Sequence, residues 1–208
     1  MSTRFNVTMD VEDMQGKTVL VFLKPQNPQR NYLIHAWQVL TGSAGATESF
    51  DYEATISTDV TSAGEKVGNT IISGRQTVMP GQLFSATSPG GLSPNLQLAP
   101  TSLAAEKLTP EQCGVINQTN PFIQFNSNWY VNERPVVTMP YVDANMTVSF
   151  EYLPNFYFMV ASPPMVGQTY IVQNFSDMTQ YVMPITATEV DVNLTKDKGL
   201  WTFNFNAQ

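Results

Sequence analysis

A single histidine and a single cysteine limit the nucleophilic chemistry available to this chain of 208 residues. A serine or cysteine nucleophile needs an adjacent base, and His35 is the only histidine that could serve. Alternation along a strand would place His35 on one face with Leu33, Trp37 and Val39, which favours a packed histidine over a catalytic one. The sequence also lacks the Gly-x-Ser-x-Gly turn that would expose a serine nucleophile.

Cys113 is expected to be inert, because Lys107, the nearest basic residue before it, is too distant in sequence to activate the thiol. We interpret it as an ordinary cysteine of a loop or helix. Being alone, it cannot form an internal disulfide. A zinc site needs three or four His, Cys or carboxylate ligands, so one histidine and one cysteine argue against structural zinc.

The densest acidic cluster consists of Asp10, Glu12 and Asp13, which Gly16 follows. Oxygen ligands suffice for calcium, but this cluster lacks the twelve-residue spacing of a calcium-binding loop. Solvated carboxylates in a turn are the simpler interpretation. Weak calcium binding at this acidic turn stays open as an alternative.

Glycoside hydrolysis would need two carboxyl groups that face each other across a cleft. The sequence singles out no such pair among its remaining candidate carboxylates, which are Glu48, Asp51, Glu53, Glu133, Asp143 and Glu151. A Gly-rich phosphate-binding loop is missing as well. We therefore predict a protein that is not an enzyme and that uses no cofactor and no metal ion.

Residues 124–132 are the best candidates for a binding surface. The amides of Asn126, Asn128 and Asn132 surround Trp129 and Tyr130 in this stretch. An aromatic ring beside amides suits sugar hydroxyls or the surface of another protein. Since most tryptophans of a β-sandwich lie in its core, a core role for Trp129 is the competing interpretation.

The charge of the chain excludes several classes of partner. Charged residues make up 13% of the sequence, about half of the usual share, and the net charge is −7. An acidic chain without a Lys/Arg cluster repels phosphate backbones, so we expect no nucleic-acid partner and no polybasic membrane patch. Asn, Gln, Ser and Thr replace the charges, and such surfaces are compatible with protein–protein packing.

Compartment signals are few. The N-terminal residues contain no apolar run of the kind found in signal peptides, and no window approaches 18 consecutive apolar residues. A lone cysteine fits a reducing environment. The expectation from the sequence is a cytoplasmic protein with no membrane span.

Period-2 alternation of apolar and polar residues recurs along the chain and predicts many short strands. Residues 18–23 form a continuous apolar run that predicts a strand buried on both faces. The clearest hairpin joins residues 190–194 to residues 201–205 through a turn that ends at Gly199. If residues 201–205 form an edge strand, their unpaired amides invite another chain to add alongside.

Residues 87–121 are rich in Pro and begin near a Gly-Gly pair, which predicts a long loop. Helix formers at residues 101–108 and a capping-box pattern at residues 109–112 predict one or two short helical turns inside it. The fold predicted for residues 1–208 is a single antiparallel β-sandwich, or an irregular barrel, with this loop inserted. Residues 79–84 and 165–170 share the pattern Met-x-Gly-Gln-x-aromatic, which either chance or a duplicated half would explain.

The function favoured by these features is non-catalytic. We expect an intracellular structural or interaction protein that associates with copies of itself into a homo-oligomer or larger ordered assembly. The terminal hairpin and residues 87–121 are the segments best suited to such an interface. The alternative is a lectin-like β-sandwich that binds a carbohydrate or another small ligand.

Overall fold

The computed structural model describes residues 2–62, 72–89, 94–120, 122–161 and 178–208, together with the backbone of residues 171 and 172. The fold is nearly all β, with 58% strand and 6% helix. This confirms the predicted class, a sandwich-like all-β protein with mostly antiparallel sheets. No helix among the described residues is long and apolar enough to cross a membrane.

The elements are named here in chain order. They are β1 (Ser2–Met9), a 3₁₀ turn (Glu12–Met14), β2 (Thr18–Leu23), β3 (Leu33–His35), β4 (Gln38–Leu40), β5 (Thr47–Glu53), β6 (Ile56–Ser62), β7 (Gln76–Val78), β8 (Leu83–Thr87), β9 (Asn95–Leu98), α1 (Thr101–Lys107), β10 (Gln112–Asn117), β11 (Phe125–Val131), β12 (Arg134–Val142), β13 (Thr147–Glu151), β14 (Asn155–Ala161), β15 (Ile171–Val172), β16 (Thr179–Val182), β17 (Glu189–Asp197) and β18 (Leu200–Ala207).

Contacts along the chain group it into two compact units. Unit 1 comprises Met1–Lys24, Ile34–Ala54 and Pro154–Gln208, and unit 2 comprises Pro25–Leu33 and Thr55–Leu153. The single domain expected over residues 1–208 stays a prediction. Each of the two units contains two packed groups of strands and an aromatic core.

Unit 1 pairs a sheet of order β18-β17-β1-β5 with a sheet of order β16-β14-β2-β4. Neighbouring strands are antiparallel except β1 and β17, which run parallel from Arg4 opposite Glu189 onward. Side chains alternate along β1, so Phe5 points inward, where its ring stacks on Phe50 and tilts against Phe156, both at 4.9 Å. Every residue of β2 is buried, as its apolar run predicts.

Unit 2 is built in the same manner. One sheet has the order β13-β10-β8-β9, and β12, β11, β6 and β7 lie side by side in the other. Strands β8 and β10 run parallel, while the other pairs within these two groups are antiparallel. Trp129 of β11 meets Phe150 of β13 edge to face, with ring centroids 4.8 Å apart.

Residues 87–121 contain more regular structure than their composition predicts. They hold β9, α1 and the fully buried strand β10, which lies between β13 and β8. Prolines punctuate these elements and do not exclude them, because Pro100 directly precedes the helix and Pro110 lies in the turn before β10. Helix α1 packs through Ala104 on a small cluster with Leu83, Ala99 and Ile116.

Only the first of the two predicted helical turns forms. Helix α1 occupies the segment rich in helix formers, whereas the capping-box pattern at residues 109–112 makes a turn. The backbone N–H of Thr109 donates to Gln112 Oε1 at 3.1 Å, and the backbone N–H of Gln112 donates to the Thr109 carbonyl at 3.1 Å. The cap therefore forms, but the chain then extends into β10, since pairing with β8 and β13 satisfies its backbone.

Candidate functional site

Strand β11 separates the predicted binding residues onto opposite faces. Asn126, Asn128 and Tyr130 lie half-buried on one face, whereas Trp129 is fully buried on the other and packs on Phe150. Trp129 is thus part of the core of unit 2, which agrees with the competing interpretation and leaves its ring no exposed surface for a sugar. The half-buried Asn132 follows β11 in a tight turn with positive φ.

The polar face of β11 leads to a buried carboxylate that the sequence did not single out. Asp59 of β6 is 3% exposed, and its Oδ1 accepts a hydrogen bond of 2.9 Å from Asn128 Nδ2. The same amide nitrogen lies 3.2 Å from Thr61 Oγ1, and Asn128 Oδ1 accepts a bond of 3.0 Å from Thr138 Oγ1. Three neighbouring strands therefore converge on this amide and help to fix the position of the carboxylate.

Arg75 supplies the positive charge opposite Asp59. Its Nη2 and Nε lie 3.3 and 3.4 Å from Asp59 Oδ2, and its Nη1 donates to Glu133 Oε2 at 2.7 Å. The guanidinium lies over the Tyr130 ring at 3.5 Å from the centroid. We call Asp59, Arg75, Asn128, Tyr130 and Glu133 the Asp59 cluster.

Charges within the Asp59 cluster compensate one another. Burial raises the pKa of Tyr130 to about 12, and the neighbouring Asp59 raises it further against the opposing effect of Arg75. Burial lowers the pKa of Arg75, but its contacts with Glu133, Tyr130 and Asp59 outweigh that effect and raise it overall. The phenol stays neutral and the guanidinium stays charged near neutral pH, so neither offers acid–base chemistry there.

Sequence signals for this cluster are weak. Asp59 is a charged residue in a strand whose first five residues are all buried, and such a position normally requires a partner. That partner, Arg75, follows β6 only after a long connection, and period-2 patterns carry no information about it. Only the tertiary structure identifies the pair.

His35 ends β3 and is half-buried, and burial lowers the pKa of its imidazole. The predicted common face with Trp37 and Val39 is wrong. The chain leaves the strand after His35 and resumes as β4 at Gln38, so the alternation restarts, with Trp37 1% exposed and Val39 43% exposed.

Cys113 lies on β10 and not in a loop or helix as expected. It is 1% exposed, and its Sγ–H donates to the Phe150 carbonyl at 3.7 Å. Burial raises the pKa of the thiol to about 12. Such a thiol is protonated and shielded near neutral pH, which makes it unreactive.

At the acidic turn, Asp13 is engaged with two lysines. Its carboxylate contacts Lys17 Nζ at 2.6 Å and also Lys196 Nζ, and these hydrogen bonds lower its pKa to about 2. The same ammonium groups lie 5.5 and 4.7 Å from the centroid of the Trp201 ring. Within the described ranges, no three His, Cys, Asp or Glu residues are grouped as a metal site requires.

The candidate carboxylates for glycoside hydrolysis fall into two groups. Glu48, Asp51 and Glu53 lie along β5 of unit 1. Glu133, Asp143 and Glu151 belong to unit 2, where Glu133 pairs with Arg75, as described above, and Asp143 accepts a bond of 2.6 Å from Gln124 Nε2.

Strand β18 lies at the end of its sheet, as the hairpin pattern suggested. It spans eight residues, none of which is charged or proline. Phe203 and Phe205 contact Phe158 of β14 at 5.5 and 5.1 Å, whereas Asn204 and Asn206 are exposed. The outer edge of β18 therefore presents main-chain donors and acceptors beside neutral amides.

Other strands that end a sheet in the described part of the chain are protected. Strand β5 carries Glu48, Asp51 and Glu53 along its edge, and β4, β7, β9 and β16 have three or four residues each. Strand β13 is bridged by Gln26, whose backbone exchanges hydrogen bonds of 2.9 and 2.8 Å with Glu151. Charge, shortness and a covering segment are the common devices that blunt an edge, and within the described residues β18 shows none of them.

An open groove of about 530 Å³ lies against β17 and β18 in unit 1. Its lining is mostly polar and consists of Thr8, Asp10, Asp191, Val192, Asn193, Asn204, Phe205 and Asn206. On the neighbouring β1, Asn6 Nδ2 donates to Glu189 Oε1 at 2.6 Å and to Asp191 Oδ1 at 3.1 Å. Amides and carboxylates thus form a ladder across this face of the sheet.

Comparison of the chain with protein-family models, with curated proteins and with solved structures finds no match. Function must therefore be inferred from the geometry of the chain itself. Among the described residues, the edge of β18 and the adjoining groove together present main-chain and side-chain groups that a partner could bind.

Proposed function

We propose that this protein is a non-catalytic structural or interaction protein that associates with copies of itself through the edge of β18. The observation that carries the proposal is the length of that edge strand together with its lack of charge and proline. Two copies that meet along β18 in antiparallel orientation continue one sheet across a twofold axis.

The energetics favour this edge over β5. A main-chain hydrogen bond contributes about 0.5–1.5 kcal/mol net, so several bonds along β18 add to a useful interaction. The exposed side chains on its outer face are Leu200, Thr202, Asn204 and Asn206, all of them neutral. Neutral side chains cost less to desolvate than the carboxylates that line β5.

Residues 87–121, the other segment expected to mediate assembly, are less suited to it. Their strand β10 is fully buried in unit 2, and α1 packs on the cluster around Leu83. A segment already paired inside its own unit has fewer groups to offer a neighbour. The lack of charge along β18 thus makes the terminal hairpin the better interface.

A reducing, cytoplasmic location is part of this proposal. It is supported by the buried and unpaired thiol of Cys113. Fractionation of the native cells should recover the protein in the cytoplasm, and recovery from an oxidising compartment would count against this location.

The test of the β18 interface is a pair of lysines. In Asn204→Lys/Asn206→Lys, each copy brings two positive charges to the shared edge. We expect the wild type to sediment as an oligomer in analytical ultracentrifugation and this variant to sediment as a monomer. The matched control is Asn95→Lys/Gln97→Lys, which adds the same charges to exposed amides of the edge strand β9. Loss of oligomers in both variants, or in neither, would contradict the proposal.

The groove supports a second candidate function, binding of a carbohydrate. Its amides and carboxylates, among them Asp191, Asn193 and Asn204, can bond to hydroxyl groups. Asn193→Lys on the inner strand β17 separates this candidate from the first. Carbohydrate binding predicts loss of retention on a glycan array with unchanged oligomers, whereas assembly through β18 predicts no glycan retention by the wild type.

A further inference from the structure

Four sets of strands follow one another along the chain. Set A is β1, β2, β4 and β5; set B is β6 to β9; set C is β10 to β13; and set D is β14, β16, β17 and β18. Unit 1 is built by sets A and D, and unit 2 by sets B and C. The first and last sets of the chain therefore form unit 1, and the two sets between them form unit 2.

Set A has the same pairing pattern in unit 1 as set C has in unit 2. The first strand of each set pairs in parallel with a strand of the partner set and antiparallel with the last strand of its own set. In set A, β1 pairs in parallel with β17 and antiparallel with β5. In set C, β10 pairs in parallel with β8 and antiparallel with β13. The second strand of each set lies between a strand of the partner set and the third strand of its own set. In set A, β2 lies between β14 and β4. In set C, β11 lies between β6 and β12. Sets B and D match in the same way, through the hairpins β8–β9 and β17–β18.

Backbone detail repeats as well. The turn before β5 has Gly45 at φ 77, and the turn before β13 has Asn145 at φ 58. The Gly45 N–H donates to the Met9 carbonyl at 2.8 Å, and the Asn145 N–H donates to the Asn117 carbonyl at 2.7 Å. In both units the accepting residue returns a bond of 2.9 Å to the residue after the turn. In sets A and C, equivalent turns before the last strand are thus hydrogen-bonded to the end of the first strand.

Sequence matches follow the same correspondence. Residues 47–52 read TESFDY and residues 147–152 read TVSFEY, while residues 76–80 read QTVMP and residues 180–184 read QYVMP. Both pairs join strands that the topology already makes equivalent, β5 with β13 and the end of β7 with the end of β16. Chance similarity would not fall on matching strands twice.

The sequence pattern that first suggested a duplication aligns different residues. That pattern aligns Met79 with Met165. Strands β7 and β16 are equivalent, because β7 pairs with β6 as β16 pairs with β14, and this equivalence aligns Met79 with Met183. Residues 165–170 lie outside the described residues. The duplication is therefore carried by the strand pairing and by the motifs that agree with it.

The order of the sets shows an exchange. If sets A and B form one repeat and sets C and D the other, each unit takes one half from each repeat. The connection from β5 to β6 has only residues 54 and 55. The three Cα–Cα steps from Glu53 to Ile56 span at most about 11 Å, hardly more than the ~10 Å between packed sheets, so this short hinge disfavours folding of set B back onto set A and favours its packing in the other unit.

The strands next to the parallel pair also correspond. In unit 2, residues 99–111 connect the last strand of set B to the first strand of set C. In unit 1, the Arg4 N–H of β1 donates to the Thr188 carbonyl at 3.0 Å and the Thr188 N–H donates to the Gln208 carbonyl after β18 at 3.0 Å, so β1 and the end of β18 meet at Thr188.

We infer that the chain is a tandem duplication whose repeats have exchanged halves, and that a second copy of the chain enters the same exchange by supplying set D to set A. Set A already packs on a half that belongs to the other repeat, so it also fits the identical half, set D, of another molecule. This exchange deepens the proposed self-association and rests on it, but it uses a different surface from the β18 edge.

The test is a cysteine pair that bridges the two sets. Thr8 of β1 lies directly opposite Asn193 of β17. In Thr8→Cys/Asn193→Cys, a disulfide joins set A to set D, within one chain when the molecule is closed and between chains when copies have exchanged. The native Cys113 does not compete, since it is buried with a pKa of about 12.

The matched control keeps both cysteines in set D. Asn193 lies opposite Asn204 in the β17–β18 hairpin, so Asn193→Cys/Asn204→Cys closes a disulfide within one chain in either arrangement. Both variants are unfolded in guanidinium chloride, refolded over a range of protein concentrations and analysed on non-reducing gels. Sets A and D are tethered within one chain through unit 2, so closure within a chain dominates at low concentration and exchange should compete as the protein concentration approaches about 1 mM.

We expect the Thr8→Cys/Asn193→Cys variant to form covalent dimers whose share rises with concentration, while the control runs as a monomer throughout. Disulfides confined to single chains at every concentration would overturn the exchange between copies. If the lysine pair on β18 abolishes oligomers while these disulfides stay within chains, the edge interface holds and the exchange fails. Covalent dimers that also form in the lysine variant would show that the exchange is independent of the β18 edge.

Discussion

The guanidinium of Arg75 lies over the ring of Tyr130 at 3.5 Å from its centroid while the same group faces Asp59. Arg75, which precedes β7, thus connects Asp59 of β6 with Glu133 of the turn after β11 in one charge network of unit 2. Asp59 is almost entirely buried, so the positive charge offsets part of the cost of placing a carboxylate there.

Arg75→Met should therefore destabilise the protein. We expect a loss of about 1–3 kcal/mol in the free energy of unfolding by urea, because Asp59 keeps its burial and loses its cation. Glu133→Gln is the control, since that side chain is 80% exposed and exposed pairs contribute about 0–1 kcal/mol. Equal effects of the two changes would contradict the role assigned to Asp59.

Acid should reveal the contact between Asp13 and its lysines. Its pKa falls from 3.8 to about 2 on folding, so the stabilisation is present above the unfolded value and is lost as the pH drops through the folded one. We expect the melting temperatures of the wild type and Asp13→Asn to differ at neutral pH and to converge near pH 2. A difference that stays constant between pH 5 and about 2 would show that ionisation of Asp13 is irrelevant.

Gly114 is expected to tolerate no side chain. A Cβ there would lie 2.9 Å from Leu108 Cδ2 and 2.9 Å from the Val148 carbonyl oxygen, which belongs to the paired strand. Gly114→Ala should cost about 1–3 kcal/mol through overpacking. Gly74→Ala is the control, because the nearest atom to its Cβ would be 4.0 Å away. Thermal unfolding of both variants would show whether backbone proximity on β10 has this consequence.

Trp129→Phe should lower stability and leave association unchanged. The indole is fully buried against Phe150, so a smaller ring leaves a cavity that costs about 1–3 kcal/mol. The β18 edge belongs to the other unit and keeps its composition. Sedimentation of the folded variant should match the wild type, and a change in oligomer size would indicate that Trp129 supports the interface.

Cys113 should be inert in the folded protein. Because its thiol is buried with a pKa of about 12, iodoacetamide at neutral pH should label it only after unfolding. The measurement is the mass of the protein after labelling with and without denaturant. Rapid labelling of the native protein would contradict the placement of Cys113 on a central strand.

Several features follow from the sequence alone because they depend on local periodicity. Alternation in β1, β17 and β18, the apolar run of β2 and the helix formers of α1 indicate these elements correctly. Side-chain period and turn chemistry are properties of neighbouring residues, so a short window contains the necessary information. The same alternation separates Trp129 from Asn128 and Tyr130, but it does not state which face is buried.

Tertiary structure alone decided which distant groups meet. Asp59 and Arg75 lie far enough apart in sequence that only the pairing of β6, β7 and β11 brings them together. The same holds for set A and set D, which are joined by β1 and β17 from near opposite ends of the chain. Strand pairing is fixed by burial summed over a whole sheet, so no local pattern in β1 specifies that its parallel neighbour is β17.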